Sequence, residues 1–581
     1  RVDVFDALPT PFGLVRYGVA ADHQGTKTVA RQFEKLFADE AVRFIGNVEV
    51  TAGDGTAAAG AAGDGAAPTV GAVVPLGELR TNYDAVVLAT GLHADAPLAV
   101  PGADLPGVQG AGAVTRLLNG HPDAAEARPL GEAVAIVGHG NVAIDLARLI
   151  ARDDLAGTDL DDRVHAGLAS AVRVIHLVGR SAPSEAKFDP VMVRELAGLP
   201  GVGHVVHGAD PGAELEGKDA RVDAVRLLAA QGAGAAGERV RIEWWFGASP
   251  VAIEGAAVEG AAIEGADRVT GLRLSAEGGE FELPVDSVIT AIGFRAGDEP
   301  AIPPPFCDAA TGRVEPGLYL AGWLRRGPRG TIPDQRDDAR QLARLIADDL
   351  ETMPEGRTAG LERPEGSTDF AGWRRVDLHE RGAAAPGRVR AKLRSRAELV
   401  GVAGPAGLPL PAVATEAADE GERLPVPLTI AYATESGGAQ FAAEELHAAL
   451  AGLGDVELLD LAEASPAGLD PARFHVILCS TYGDGELPTG ARGLVAALAA
   501  EAPDLGGLAY AVFGLGDRSY TKTYSRGSEL LDEALAACGA RRIGEYGRHD
   551  AGGGTDAAEE ALEWFEVLSE EIRVLAGPVP A

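Results

Sequence analysis

Cysteine is scarce. Only Cys307, Cys479 and Cys538 occur in 581 residues, and no two are spaced C-x-x-C, so no iron–sulfur cluster, zinc site or dithiol centre is visible, and no metal is expected. The same scarcity fits a reducing compartment and points to a cytoplasmic location. Positive charge is also short: 51 Lys and Arg against 86 Asp and Glu give a net charge of −35, which argues against nucleic acid or an anionic membrane as a partner. No apolar run reaches the length of a membrane-spanning helix, and no signal peptide is recognisable. No Ser-His-Asp set is apparent, so nothing calls for a covalent nucleophile.

What is present is glycine punctuation at strand ends. The length suggests three to five domains, and the 46% hydrophobic fraction permits large cores. Residues 133–150 read AVAIVGHGNVAIDLARLI. A buried parallel strand (133–137) leads through Gly138, His139, Gly140 and Asn141 into a helix with apolar residues at helical spacing (142–150). In such an arrangement glycines let the backbone approach a pyrophosphate, and the helix N-terminus supplies free N–H groups and a positive dipole end. The next strand, 172–178, ends in Gly179-Arg180-Ser181. An Arg at that strand end suits a 2′-phosphate, and no acid appears there, so the pattern leans toward NADP.

Upstream, residues 2–5 read as a strand closed by Asp6, where an acid would hydrogen-bond an adenosine ribose. The first strand and glycine turn of such a fold belong about 20–35 residues earlier, so residue 1 is read as internal to a longer protein. Residues 52–72 and 253–267 are Gly/Ala-rich and read as expanded surface hairpin loops. Residues 396–427 read as a linker.

A second pattern starts at Leu428. A strand (428–433) runs into a hydroxyl- and glycine-rich loop (434–439) and a helix, and Thr434, Ser436 and successive N–H groups suit one phosphate monoester. No Lys is present, so this is not an ATP-type phosphate loop. Two further strands, 474–480 and 510–513, end in STYGDGELPTGA and GLGDRSYTKTY, placing Tyr482 and Tyr520 in ligand-facing loops. Two aromatics beside a phosphate loop suit a flat mononucleotide. Acids outnumber bases roughly three to one in this block, which serves solubility or an acidic docking face.

The loop LPTPFGLVRYGVAADHQGTK (residues 8–27) resembles the FAD-wrapping loop of adrenodoxin-reductase-type ferredoxin–NADP reductases. The likeness continues in order through GNVEV (46–50), VLATG (87–91), PGADLPGV (101–108), NGHPD (119–123), GNVAIDLAR (140–148) and AGWLRRGPRGTI (321–332), then a closing helix near 341–350 and a weaker echo over 370–393. Residues 428–572 resemble flavodoxin, and more closely the FMN domain of diflavin reductases.

The resemblances imply two interleaved dinucleotide-binding (Rossmann-like) α/β domains followed by a flavodoxin-like doubly wound parallel sheet. The implied division is an FAD-binding part (1–125), an NADP-binding domain (126–300), the rest of the FAD-binding domain with its closing helix (301–395), a linker (396–427) and an FMN-binding domain (428–575). By resemblance, Asp6, Leu14, Val50, Gly91, Trp323, Gly330, Thr331 and Ile332 contact FAD. His139, Gly140, Asn141, Val142, Arg180, Ser181 and Gly330 contact NADP, and His23 with Asp145 forms a catalytic pair near the flavin. Thr434, Glu435, Ser436, Gly437, Gly438 and Ala439 hold the FMN phosphate. Thr481, Tyr482, Gly483, Leu515, Gly516, Asp517, Tyr520, Tyr524 and Asp550 form the other FMN contacts, with Tyr482 and Tyr520 flanking the ring.

The chain departs from the family pattern at Ser181 for a second Arg, Met192 for a Glu, Leu117-Leu118 for Trp-Tyr, and Thr523-Tyr524 for an aromatic-Cys pair. The function implied is passage of electrons from NADPH to FAD to FMN and on to a one-electron acceptor protein such as a ferredoxin or haem monooxygenase. Two alternatives stay open: a reductase serving an external ferredoxin with the flavodoxin domain accessory, and a non-catalytic flavodoxin-like interaction module.

Overall fold

The computed structural model describes residues 1–27, 29–39, 41–52, 71–126, 128–208, 219–232, 237–257, 267–296, 307–330, 334–352, 360–408, 424–435, 437–451, 453–483, 485–518, 523–551 and 557–576. The chain forms two compact units, Arg1–Asp22 with Phe37–Pro411, and His23–Leu36 with Ala412–Ala581.

The first unit is organised on an all-parallel six-stranded sheet. Its order is Val202–His207, Val240–Trp245, Val174–Val178, Ala133–Val137, Ser287–Thr290, Val108–Gly110. The central strands are continuous apolar runs because both faces are covered. Val134, Ala135 and Ile136 are fully buried. From Ala133–Val137 the chain steps to Val174–Val178 on one side, and Ser287–Thr290 closes on the other. That creates a topological switch point, where open α/β sheets bind ligands at the carboxyl ends of their strands. The helix Asn141–Ala151 packs Ile144, Leu146, Ala147, Leu149 and Ile150 into the core below it.

Smaller sheets complete this unit. Val2–Phe5 pairs with Val42–Ile45, Val48–Thr51 with Ala72–Pro75, and Val86–Leu88 with Leu318–Leu320. Their shared core holds Ile45, Val48, Val74, Leu79, Val86, Leu88, Leu318 and Leu320. The chain therefore leaves this region after Leu88 and is back in it by the strand Arg313–Glu315, which pairs with Leu318–Leu320; that is the interleaved arrangement. Among the described residues, Val2–Phe5 and Val86–Leu88 are each paired along one edge only.

Several elements differ from the sequence reading. The linker expected over 396–427 opens with a helix, Arg396–Ala403. Ser395 caps it through the Glu398 N–H, and Leu399 and Ala403 pack on Trp373 and Val376 of the helix Phe370–Gly382. Eight residues are too short for a sustained helical period, so the Ala- and Gly-rich composition hid it. The closing helix runs over Asp334–Thr352, and the strand expected from residue 172 is Val174–Val178. The strands Ser249–Ala257 and Asp267–Ala276 pair antiparallel, with Ala257 opposite Asp267. Most of the expanded loop at 52–72, the middle of the one at 253–267 and 409–423 of the linker lie outside the described residues.

The second unit carries a parallel sheet in the order Val456–Asp460, Leu428–Ala433, Phe474–Ser480, Ala509–Gly516. Both Arg541–Arg542 and Gly547–Asp550 pair on its last strand. This is the 2-1-3-4-5 doubly wound order. One face buries Ile430, Val476, Leu478, Phe513 and Phe565; the other buries Ile477, Leu494, Tyr510, Val512 and Leu531. No helix among the described residues is long and apolar enough to cross a membrane.

Candidate functional site

At the switch point of the six-stranded sheet, Gly138 adopts φ 133°, and a Cβ there would stand 2.3 Å from the Ala291 carbonyl oxygen. Only glycine permits that turn. Gly140 caps the helix Asn141–Ala151, and a Cβ on it would meet nothing within 4 Å, so the backbone at the helix start faces open space. The His139 ring turns inward. It is 7% exposed, lies 4.6 Å from the Phe246 ring, and sets Nε2 at 3.1 Å from the Leu177 carbonyl. That contact makes Nε2 the donor and leaves Nδ1 buried without a partner. Burial drops the ring's pKa to about 4. Gly179 is the reason it fits: a Cβ there would approach His139 Nδ1 to 2.4 Å. His139 therefore offers a dinucleotide its backbone rather than its ring. Asn141 Oδ1 accepts the Asp189 N–H at 2.7 Å. Arg180 is exposed at the neighbouring strand end, beside the half-buried Ser181, and Val142 is half-buried. Met192, where the family has an acid, packs against the core.

On the flavin side, Asp6 ends its strand. Its Oδ1 accepts the Leu8 N–H at 2.8 Å, and burial pushes its carboxyl up to about 6. The Val48 N–H donates to the Asp6 carbonyl, tying the strand of Val50 to it. Leu88 and Leu320 are paired in register, so Gly91 and Trp323 follow from neighbouring strand ends. Trp323 Nε1 donates to the Gly330 carbonyl at 3.3 Å, and its ring stacks on Phe294. Gly91 has φ 66° and open space where a Cβ would be. Leu14 lies 56% exposed on the short helix Gly13–Tyr17. Phe12 holds φ 67°, a costly conformation for an aromatic residue, with its ring against Phe37 and Trp373. Thr331 and Ile332 lie outside the described residues.

Asp145, read as half of a catalytic pair, is engaged with Arg148 at 2.7 Å on its own helix. His23 falls in the other unit.

In the second unit three loops converge because their strands are in register. Ala433 pairs with Cys479, Ser480 with Leu515, and Gly516 with Asp550. Gly437, at φ 93°, caps the helix Gly438–Leu450 and donates its N–H to Thr434 Oγ1 at 2.8 Å. Ala439 is buried under that helix start. Glu435 turns away from the loop: its carboxylate accepts the N–H and hydroxyl of Thr489 at 2.8 and 3.1 Å. A carboxylate would repel a phosphate, and here it caps the helix Thr489–Glu501 instead. Within the phosphate-type loop Glu435 therefore has its backbone, not its carboxylate, to offer a phosphate.

Tyr482 stands 47% exposed, with its backbone fixed by a two-way bridge to Glu486. Thr481 Oγ1 accepts the Gly527 N–H at 3.2 Å, and Gly483 takes φ 52°. Gly516 leaves room for Ser525, whose N would lie 2.6 Å from a Cβ. Asp550 Oδ1 accepts the Arg518 N–H at 2.9 Å, and the Arg518 guanidinium lies 5.6 Å over the Tyr524 ring. Asp517 sits between these groups in sequence and is half-buried. Ser480 Oγ is buried without a partner at this strand end. Ser436 and Tyr520 lie outside the described residues.

These residues fit two flavins and a nicotinamide dinucleotide. Gly91 and Gly140 leave backbone exposed to open space, Ser480 has an unanswered hydroxyl, and Tyr482 offers an uncovered aromatic face beside a phosphate-type loop. A dinucleotide-type sheet, the smaller sheets that share a core beside it and a flavodoxin-type sheet define a flavoprotein oxidoreductase.

Comparison with known proteins gives the particular family. The chain is 38% identical over 411 residues to cindoxin reductase of Citrobacter braakii, covering 68% of this chain and 83% of that protein. It is 34% identical over 444 residues to NADPH-ferredoxin reductase FprA of Mycobacterium tuberculosis, covering 69% and 91%. The structure of that FprA in complex with NADPH superposes with a TM-score of 0.56 at 30% identity, over 69% of this chain and 92% of that one. The Flavodoxin family matches residues 430–565. The chain belongs to the adrenodoxin-reductase type of ferredoxin–NADP reductases and carries a flavodoxin domain toward its C-terminus.

Sequence reasoning missed the charged residues that hold the first unit together. Arg148 collects Asp22, Asp145 and Glu195; Lys392 pairs with Asp159 at 2.9 Å; Arg16 pairs with Glu380 at 2.5 Å. A signal was present. Residues 388–396 read RVRAKLRSR, a cation at every second position, which is the pattern of an extended strap. Arg388, Arg390, Lys392, Arg394 and Arg396 each find a carboxylate: Asp162, Asp377, Asp159, Asp161 and Asp123.

Proposed function

We propose that the chain is an NADPH-dependent reductase that passes electrons from NADPH to FAD, to FMN and on to a one-electron acceptor protein, a ferredoxin, haem monooxygenase or similar carrier. The observation that carries this reading is the presence, in one chain, of a glycine-turned dinucleotide cradle at Gly138–Gly140 and a phosphate-type loop at Thr434–Gly438 beside the exposed Tyr482. When bound, nicotinamide donates hydride and flavins convert that two-electron donation into single-electron steps.

The protein's share is binding and orientation. Backbone N–H groups at the start of Asn141–Ala151 take the pyrophosphate, and Arg180 takes the 2′-phosphate. Ser181 adds a hydrogen bond but no charge there, so preference for NADPH over NADH is weakened rather than reversed. Asp6, Leu14, Val50, Gly91, Trp323 and Gly330 surround FAD, with Trp323 as an apolar wall. Thr434 and Gly437–Ala439 take the FMN phosphate; Thr481–Gly483, Leu515–Asp517, Tyr524 and Asp550 take the rest. The FAD-binding part spans 1–125 and 301–395, the NADP-binding domain 126–300 and the FMN-binding domain 428–575. The residues that follow the helix Arg396–Ala403 tether the carrier at high local concentration.

Flavin released from the purified full-length protein tests this reading. One FAD and one FMN per chain is the expected result. FAD alone supports a reductase for an external carrier, and no flavin refutes an enzymatic role.

A further inference from the structure

We infer that the ion pair between Asp22 and Arg148 is a positioning device for hydride transfer, tying the flavin-side loop to the nicotinamide-side helix; this rests on the function proposed above. Arg148 is 4% exposed and Asp22 8%. The guanidinium grips the carboxylate with two hydrogen bonds, Nε to Oδ2 at 2.7 Å and Nη2 to Oδ1 at 2.9 Å. Nη2 also reaches Asp145 at 2.7 Å, and Nη1 reaches Glu195 of the helix Pro190–Ala197 at 3.2 Å. Arg152, the residue that follows the helix, also donates Nη1 to Asp22 Oδ2 at 2.7 Å, so Asp22 is gripped from the helix and from its C-terminal end.

The loop that ends at Asp22 is fixed along its length. The carbonyl of Arg16 accepts from Lys392 Nζ at 2.9 Å, that of Val19 from Asn119 Nδ2 at 3.1 Å, and that of Ala21 from the Asp159 N–H at 3.1 Å. Ala20 and Ala21 are buried in the same core as Ile144 and Leu149 of the helix. The loop begins beside Leu14, assigned above to FAD. The helix begins at Gly140 and Asn141, about 10 Å from Arg148 by helical rise. The two cofactor-binding segments thus share a planar, two-pronged contact beside their apolar packing. Apolar packing alone can slide, whereas a guanidinium–carboxylate fork fixes direction as well as distance. Such pairs add little net stability, so orientation is the effect to look for. Asp22 and Arg148 touch neither substrate nor cofactor in this account; they act through the segments they hold.

The test is anaerobic single-turnover reduction of the full-length, flavin-loaded protein by NADPH. For Asp22→Asn the limiting rate of FAD bleaching falls about 10–100-fold, the effect of roughly an ångström of misplacement. The apparent Kd for NADPH stays within about threefold of the parent and FAD content is unchanged, because the binding groups themselves are intact. Asp22→Glu, which keeps the carboxylate, recovers part of the rate. A limiting rate within twofold of the parent overturns the proposal; so does a parallel loss of rate, NADPH affinity and bound FAD, which would mark a merely structural pair. If Asp22→Asn does not fold, Arg152→Met, which removes a cation that holds Asp22 beside Arg148, shows the same split at smaller amplitude, and an unchanged rate there overturns the proposal. A parent protein that NADPH fails to reduce refutes the proposed function instead.

Discussion

Glu380 is the most exposing point at which to perturb the reductase unit. Its side chain is fully buried and accepts from Arg16 Nη2 at 2.5 Å and from the Leu393 N–H at 2.9 Å, with Arg390 at 3.4 Å. Arg16 is itself 4% exposed, its guanidinium 5.0 Å from the ring centres of both Tyr17 and Trp373. Truncation by Glu380→Ala leaves that cation buried and uncompensated, which costs about 3–5 kcal/mol. Glu380→Gln keeps an acceptor and loses only the charge, about 2–3 kcal/mol. At about 1.2 °C per kcal/mol for a unit of this size, the alanine variant melts roughly 4–6 °C lower. Four of the five tryptophans, Trp244, Trp245, Trp323 and Trp373, lie in this unit, so tryptophan fluorescence during melting reads it directly. Arg390 keeps Asp377 at 2.8 Å, so replacing both partners, Arg16→Met with Glu380→Leu, restores much of the loss. A shift under about 1 °C for Glu380→Ala would refute the claim that Arg16 depends on Glu380.

Other outcomes follow from the same geometry. His139 and His204 are both held near pKa 4 by burial, against about 6.5 in the unfolded chain. The unfolded state binds more protons between those values, so stability is full above about pH 6.5 and falls as pH drops toward 4, by up to roughly 3 kcal/mol per histidine. Melting at pH 7.5, 6 and 5 measures it, and His204→Gln reduces the slope. Trp244 Nε1 donates to His204 Nδ1 at 3.3 Å, a contact that protonation abolishes. Glu435→Ala frees the N-terminus of Thr489–Glu501 and loosens the loop beside it, weakening FMN binding by about tenfold, read by fluorescence titration of the flavin-stripped protein. Gly138→Ala drives a methyl group to 2.3 Å from the Ala291 oxygen, so it abolishes NADPH reduction of FAD or prevents folding; near-normal turnover contradicts the turn geometry.

Much of this was legible in the chain because strand and glycine signals are local. Val2–Phe5 stops at Asp6, Ala133–Val137 at Gly138, Leu428–Ala433 at Thr434 and Phe474–Ser480 at Thr481, so each apolar run ends on an acid, a glycine or a hydroxyl residue, and those boundaries depend on nothing distant. The direction of side chains was not legible. His139 and Glu435 stand inside nucleotide-binding patterns, yet one packs inward because Gly179 leaves a hole and the other caps a helix that begins 54 residues later. The buried charges were hidden for the same reason. Asp22 and Arg148, like Arg16 and Glu380, meet only after the chain has folded back on itself, and no local period marks either pair.

The central claim is that two flavins in one chain form a relay. Anaerobic stopped-flow mixing of the full-length, two-flavin protein with NADPH tests it directly, following both flavins by absorbance at several protein concentrations. FAD bleaching followed by reduction of FMN, at a rate that does not change with protein concentration, is the result this account predicts. Reduction of FAD alone, or FMN reduction that scales with protein concentration, would contradict it and leave the reductase working through a separate carrier.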